Sequence, residues 1–143
     1  MRGYSLLEVL VATTIVVVGV AALAQLVGVA SHASLRARQT TTAAVLAQQK
    51  MEELLPQATT ELTPSPADAL VHNVDGYSDF VEGSGRSLGS GPAPPAGSMY
   101  LRRWSMDRLR DGRDNTWILQ VLVTDLRGRV LARYVTSKAG HAF

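Results

Sequence analysis

The sequence predicts an α+β chain in which one long N-terminal helix lies against a small antiparallel sheet. Two observations carry this. No proline or glycine interrupts Val29 to Leu55, where strong helix formers place apolar residues at three- and four-residue spacing. The last third then changes period, with Trp117, Leu119, Val121 and Val123 alternating with Ile118 and Leu122.

The first half of the helix has its own chemistry. Val9 to Ser31 is a 23-residue run with no formal charge, broken in polarity only by Thr13, Thr14, Gln25 and Ser31. As a helix it rises about 35 Å, enough to cross a hydrocarbon core of about 30 Å. A secretory signal peptide has a shorter apolar core, about 7–15 residues, so Ala22 and Ala24 are a poor cleavage site. Gly19 and Gly28 read equally as ordinary membrane-helix glycines or, with Ala12, Ala21 and Ala22, as a surface for close helix packing. Arg2 before the span places the N-terminus in the cytoplasm, although Arg36 and Arg38 beyond it weaken the bias.

Glu8 stands alone at the start of the apolar run, and no cation lies between it and Arg36. A carboxylate in hydrocarbon costs roughly 2.5–3.5 kcal/mol on insertion scales, so it is a functional-site candidate by default. Its partner must come from outside the chain, and the α-amino group of another subunit is the natural one.

Gly3, Tyr4 and Ser5 followed by Leu6-Leu7-Glu8-Val9-Leu10-Val11-Ala12 resemble the class III signal of type IV pilins and type II secretion pseudopilins. The resemblance implies cleavage by a prepilin peptidase between Gly3 and Tyr4, methylation of Tyr4 as the new terminus, and Glu8 as the assembly carboxylate. Tyr4 stands where the family usually has Phe or Met. The run Leu46 to Leu54, alanine-bearing and closing in Glu52-Glu53-Leu54, is similar to the helix end of minor pilins and minor pseudopilins. The likeness covers about the first 55 residues; beyond them it rests on architecture and a loose similarity around Arg103-Trp104. It implies a pilin-like fold divided into a leader (1–3), a transmembrane or filament-core helix (4–31), an amphipathic continuation (32–55), a variable loop-rich connection (56–99) and an antiparallel sheet (100–143).

In the second helical half Ala44, Ala47, Met51, Leu54 and Leu55 share an apolar face that packs on the domain, while Arg36, Arg38, Gln39, Gln48, Gln49, Lys50 and Glu53 mostly fill the rest. Pro56 excludes helical geometry at Leu55 and ends the helix there. Pro64, Pro66, Pro92, Pro94 and Pro95 mark the connection as loops, with Gly83 to Gly97 its most linker-like part. Leu70 to Val74 and Tyr77 to Val81 are candidate short pieces. Strands are expected over Tyr100 to Met106, Thr116 to Thr124 and Leu131 to Ser137 in a sheet of three or four, with Asp107 to Asn115 a polar connection and Arg127-Gly128 a hairpin turn. The Thr116 strand, apolar on both faces, suits the sheet centre.

The length allows one small domain besides the helix, and helix docking must contribute much of its stability. There are no cysteines, so no disulfide can form even in an oxidising compartment. Many major pilins close a C-terminal disulfide loop, so the resemblance points to a minor subunit. The net charge of +2 hides segments of +3 (1–51), −6 (52–98) and +5 (99–143). Arg102, Arg103, Arg108, Arg110 and Arg113 form the densest cluster, a surface for a partner or for DNA. Interleaved Asp107, Asp111 and Asp114 favour subunit docking or a solvated rim over DNA, and Trp104 reads as core.

No enzymatic constellation stands out. His32, His72 and His141 are scattered, with no HExxH pairing, Walker loop or Rossmann glycines. Asp75, Asp79 and Glu82 do not match a calcium loop and read as solvated. The expectation is a structural subunit, neither enzyme nor cofactor binder, that initiates or caps an inner-membrane-anchored pilus or pseudopilus. Its partners would be other pilins or pseudopilins, the prepilin peptidase and inner-membrane lipid, with the C-terminal domain periplasmic. A competence-type pseudopilin contacting DNA and a membrane-anchored periplasmic protein outside any filament are the alternatives.

Overall fold

Ser5 starts the helix: its carbonyl accepts the N–H groups of Glu8 at 2.9 Å and Val9 at 3.2 Å. From there α1 runs unbroken over Leu6–Leu54, 49 residues in a computed structural model that describes residues 5–59, 61–109 and 116–139. Two compact units divide at Arg38 and Gln39, so α1 contributes to both.

In the first unit every described residue is exposed, with Leu, Val and Ile around the whole circumference of the helix. A helix apolar on all sides belongs in a membrane or in the core of a larger assembly. This stretch is long and apolar enough to be a single membrane span. Its hydroxyls suit such a solvent, because Thr13, Thr14 and Ser31 donate to the carbonyls of Val9, Leu10 and Val27 at 2.7, 2.8 and 2.9 Å.

The second unit, Gln39–Phe143, packs the end of α1 on a five-stranded antiparallel sheet: β1 (Ser78–Val81), β2 (Ser87–Gly89), β3 (Tyr100–Arg108), β4 (Thr116–Asp125) and β5 (Val130–Ala139). Their spatial order is β2-β1-β3-β4-β5. The α+β architecture is the expected one, but two strands come from the stretch read as loops: β1 inside Tyr77 to Val81 and β2 inside the linker-like Gly83 to Gly97. Leu70 to Val74 forms neither helix nor strand, a turn at Leu70 and Val71 running into a bend and irregular chain.

The buried stripe of α1 is Ala43, Leu46, Ala47, Met51 and Leu54. It meets Tyr100, Trp104 and Met106 of β3 and Trp117, Leu119, Val121 and Val123 of β4. Ala44 is only half-buried and Leu55 exposed, so the stripe is turned slightly from the expected one. Strand β4 lies between β3 and β5, with registers running from Trp104↔Val121 to Val121↔Tyr134. The β1–β2 and β4–β5 hairpin turns repeat one pattern, acid-x-x-Gly-Arg. In Glu82–Arg86 and Asp125–Arg129 the first residue's N–H reaches the last residue's carbonyl, each at 3.0 Å. Gly85 (φ 93°) and Gly128 (φ 82°) supply the left-handed position such three-residue loops require. At the C-terminus of α1, which has no basic residue in its last turn, Lys138 of β5 donates its Nζ to the carbonyls of Leu55 and Gln57.

Leu119 is fully buried at the helix–sheet contact. Leu119→Ala is expected to destabilise the chain by about 2–5 kcal/mol, measured as a lower denaturant midpoint in detergent with an unchanged native circular-dichroism spectrum.

Candidate functional site

The Glu8 carboxylate is exposed in the first turn of α1 and has no hydrogen-bond or ion-pair partner among the described residues. Ser5-x-x-Glu8 has capping-box spacing, in which a glutamate returns to the N-cap N–H. That bond is not made, so the carboxylate is left to an outside group. Gln25 likewise has no side-chain partner among the described residues. Cβ atoms built on Gly19 or Gly28 would meet nothing of this chain within 4 Å. Gly3 and Tyr4, the expected processing residues, lie outside the described residues, as do Arg110 and Arg113.

The described members of the arginine cluster, Arg102, Arg103 and Arg108, do not share one exposed surface. Arg102 is a correction to that expectation: it is 4% exposed, on the face of β3 that meets α1. Its Nε and Nη2 donate to Oδ1 and Oδ2 of Asp79 at 2.9 and 2.7 Å, and its Nη1 donates to the Leu46 carbonyl at 3.1 Å. The Ser87 hydroxyl adds a bond to Asp79 Oδ2 at 2.8 Å. Removing this guanidinium from water is tolerable only because the fork is paired and bonded in this way. Arg103 is half-buried on the opposite face, where Nε and Nη2 donate to Asn73 Oδ1 at 3.1 and 2.8 Å. Burial lowers its pKa from the ordinary arginine value. Of the three described arginines of the cluster only Arg108 is exposed, standing over the Trp117 ring at 5.8 Å. Trp104 is core, with Lys50 Nζ 4.1 Å from its ring centroid.

The three acids weighed for calcium are dispersed by their partners. Asp79 belongs to Arg102, Asp75 accepts from Ser90 Oγ at 2.6 Å, and Glu82 accepts from the Ser84 hydroxyl and from Arg86 Nη2 at 3.0 Å. The Ser84 bond and then Arg86 hold the Glu82 carboxyl below its usual value. No metal-holding group of three such side chains occurs among the described residues. Asp79 was read as a solvated acid and Ser87 as a linker residue, since nothing local marks an acid whose partner lies 23 residues downstream. The repeated acid-x-x-Gly-Arg was the available signal for the first hairpin.

Asp125 anchors the second hairpin. Desolvation pushes its carboxyl up, but the Arg129 and Arg127 backbone N–H groups, at 2.8 and 3.0 Å, together with the Arg129 guanidinium, outweigh that and hold it below its usual value. No family model matches the chain, and no curated protein or solved structure matches it either.

Arg102→Leu leaves Asp79 buried and uncompensated, and is expected to cost about 3–5 kcal/mol by denaturant unfolding. Adding Asp79→Leu should recover most of it. For Asp125, the folded carboxyl binds its proton less readily than the unfolded one. Its stabilisation is complete above the unfolded value and disappears as pH falls through the folded value. Asp125→Asn should therefore lower the melting temperature at pH 7, and the two melting curves should converge in acid.

Proposed function

We propose that the chain is a minor pilin or minor pseudopilin, a structural subunit that initiates or caps a filament anchored in the bacterial inner membrane. The observation that carries this reading is the Glu8 carboxylate, without a partner among the described residues, at the head of a helix half that is apolar and exposed on all sides. A free membrane anchor gains nothing from such a charge, which costs a few kcal/mol on insertion. A filament subunit recovers that cost by pairing Glu8 with the N-terminal ammonium of a neighbour. That ammonium comes to membrane depth once a prepilin peptidase has cut after Gly3, leaving Tyr4 as the methylated terminus.

The remaining apolar surface then serves two solvents in turn. Before assembly it faces lipid, with the N-terminus cytoplasmic and the second unit periplasmic. After assembly it faces neighbouring helices, where Gly19 and Gly28 admit close backbone approach and Gln25 can bond across. The work is assembly and not catalysis. The burial of Arg102 and the bonding of Arg103 to Asn73 weigh against a DNA-reading arginine surface.

Intact-mass spectrometry of the full chain from membranes of a host carrying a prepilin peptidase should give a mass lacking Met1-Arg2-Gly3, with or without one methyl. Retention of those residues would overturn the reading and leave a plain anchor. Glu8→Ala should still insert but disappear from the sheared filament fraction; an unchanged filament yield would remove the pairing mechanism.

A further inference from the structure

The fold treats the two edges of its sheet differently. Past the short β1, the outer side of β3 is closed by chain. The Trp104 N–H donates to the Tyr77 carbonyl at 3.0 Å, the Met106 N–H donates to Ser65 Oγ at 2.8 Å, and the Met106 carbonyl accepts the Ser65 N–H at 2.9 Å. On that side the sheet ends in β2, which is three residues long. Strand β5 is ten residues long and stands at the other end of the strand order, with β4 as its neighbour and no described strand beyond it.

The ladder fixes which backbone groups of β5 are left over. Leu109 donates its N–H to the Thr116 carbonyl at 2.9 Å, so Thr116 turns its peptide groups toward β3. Alternation then turns those of Trp117, Leu119 and Val121 toward β5, opposite Lys138, Thr136 and Tyr134. The N–H and C=O groups of Arg133, Val135 and Ser137 therefore point away from the sheet, and all three residues are exposed. Sheet edges of this length are normally covered, shortened or interrupted. The irregularity in β5 lies between Val130 and Ala132, before this stretch. Charge selects what can pair there. From Leu126 to Phe143 the chain has Arg127, Arg129, Arg133 and Lys138 and no acid. Arg133 bonds a neutral group, donating Nη2 to Gln120 Oε1 at 2.6 Å. Two copies of β5 laid side by side would set cations against cations, whereas a strand bearing carboxylates would be attracted.

We propose that the outer edge of β5, from Arg133 to Ser137, takes up an extended acidic segment of another protein as an added strand of the sheet. Main-chain bonds to Arg133, Val135 and Ser137 supply affinity. Carboxylates on the face of Arg133 and apolar side chains on the face of Tyr134, itself 41% exposed, supply selectivity. The contact lies wholly within the second unit and depends neither on membrane insertion nor on filament assembly.

The full chain in detergent is titrated with a strand-length peptide alternating valine and glutamate, and separately with its valine–lysine counterpart, while amide exchange is followed residue by residue. With the glutamate peptide at ten times its Kd, exchange at Arg133, Val135 and Ser137 is expected to slow about tenfold, as 1 + [L]/Kd requires. Equal slowing by the lysine peptide, or none at millimolar glutamate peptide, would overturn the proposal. Slowing that grows with protein concentration in the absence of peptide would overturn it in favour of a second copy of the chain. Val135→Pro removes an outward N–H and no bond to β4, so it should melt as the parent does and lose the peptide effect. A folded Val135→Pro that keeps the effect would replace strand addition with side-chain attraction alone. Should that variant not fold, Arg133→Glu decides: the preference should pass to the lysine peptide, and an unchanged preference would overturn the acidic partner.

Discussion

One guanidinium ties four elements of the second unit together. Arg102 of β3 clasps Asp79 of β1 with two parallel bonds, Asp79 takes the Ser87 hydroxyl of β2, and the remaining arm of Arg102 reaches the Leu46 carbonyl of α1. A mid-helix carbonyl has already spent one lone pair on its own helix, and the second is what Arg102 uses. The arrangement sets which face of β3 meets the helix and where along α1 the sheet docks. Apolar contacts among Leu46, Met51, Trp104, Leu119 and Val121 supply the bulk of the driving force, but they are non-directional. A short edge hairpin such as β1–β2 has little apolar area of its own, and the buried pair fixes its place.

The two halves of α1 solve the polar-group problem in opposite ways. In the exposed apolar half, hydroxyls are returned to the helix backbone and the polar side chains left over are Glu8 and Gln25. In the half that meets the sheet, polar groups are matched across elements: Lys50 lies over Trp104 while bonding Glu53 at 2.8 Å, and Lys138 takes the carbonyls at the helix end. A change of solvent along one helix thus appears as a change from local to tertiary satisfaction.

The features legible in the sequence were those with a period or a breaker. The helix end at Pro56, the alternation of Trp117 to Val123 and the Arg127-Gly128 turn each leave a local mark, and the structure has α1 ending at Leu54, β4 at the sheet interior and the turn between β4 and β5. Strand β1 was legible only as a short structured piece over Tyr77 to Val81 and β2 not at all, because four- and three-residue strands carry too few positions for a period. Their pairing is set instead by Arg102, a partner distant in sequence. Glu8 stood out for the opposite reason: the absence of cations from Val9 to Leu35 can be read directly from the chain, and among the described residues its carboxylate has no partner.

Counting arginines along the chain overstates the charge that Arg102 and Arg103 present to a partner, for a physical reason. The densest run falls on β3 and its following connection, but an arginine acts on a partner only through the donors its own fold leaves over. Arg102 spends its fork on Asp79, which removes one charge each from the basic and acidic segments, and Arg103 gives two donors to Asn73. At the far end of β4, by contrast, Asp125 is saturated by backbone N–H groups and Arg129, and the exposed Arg127 lines a groove with Gln39.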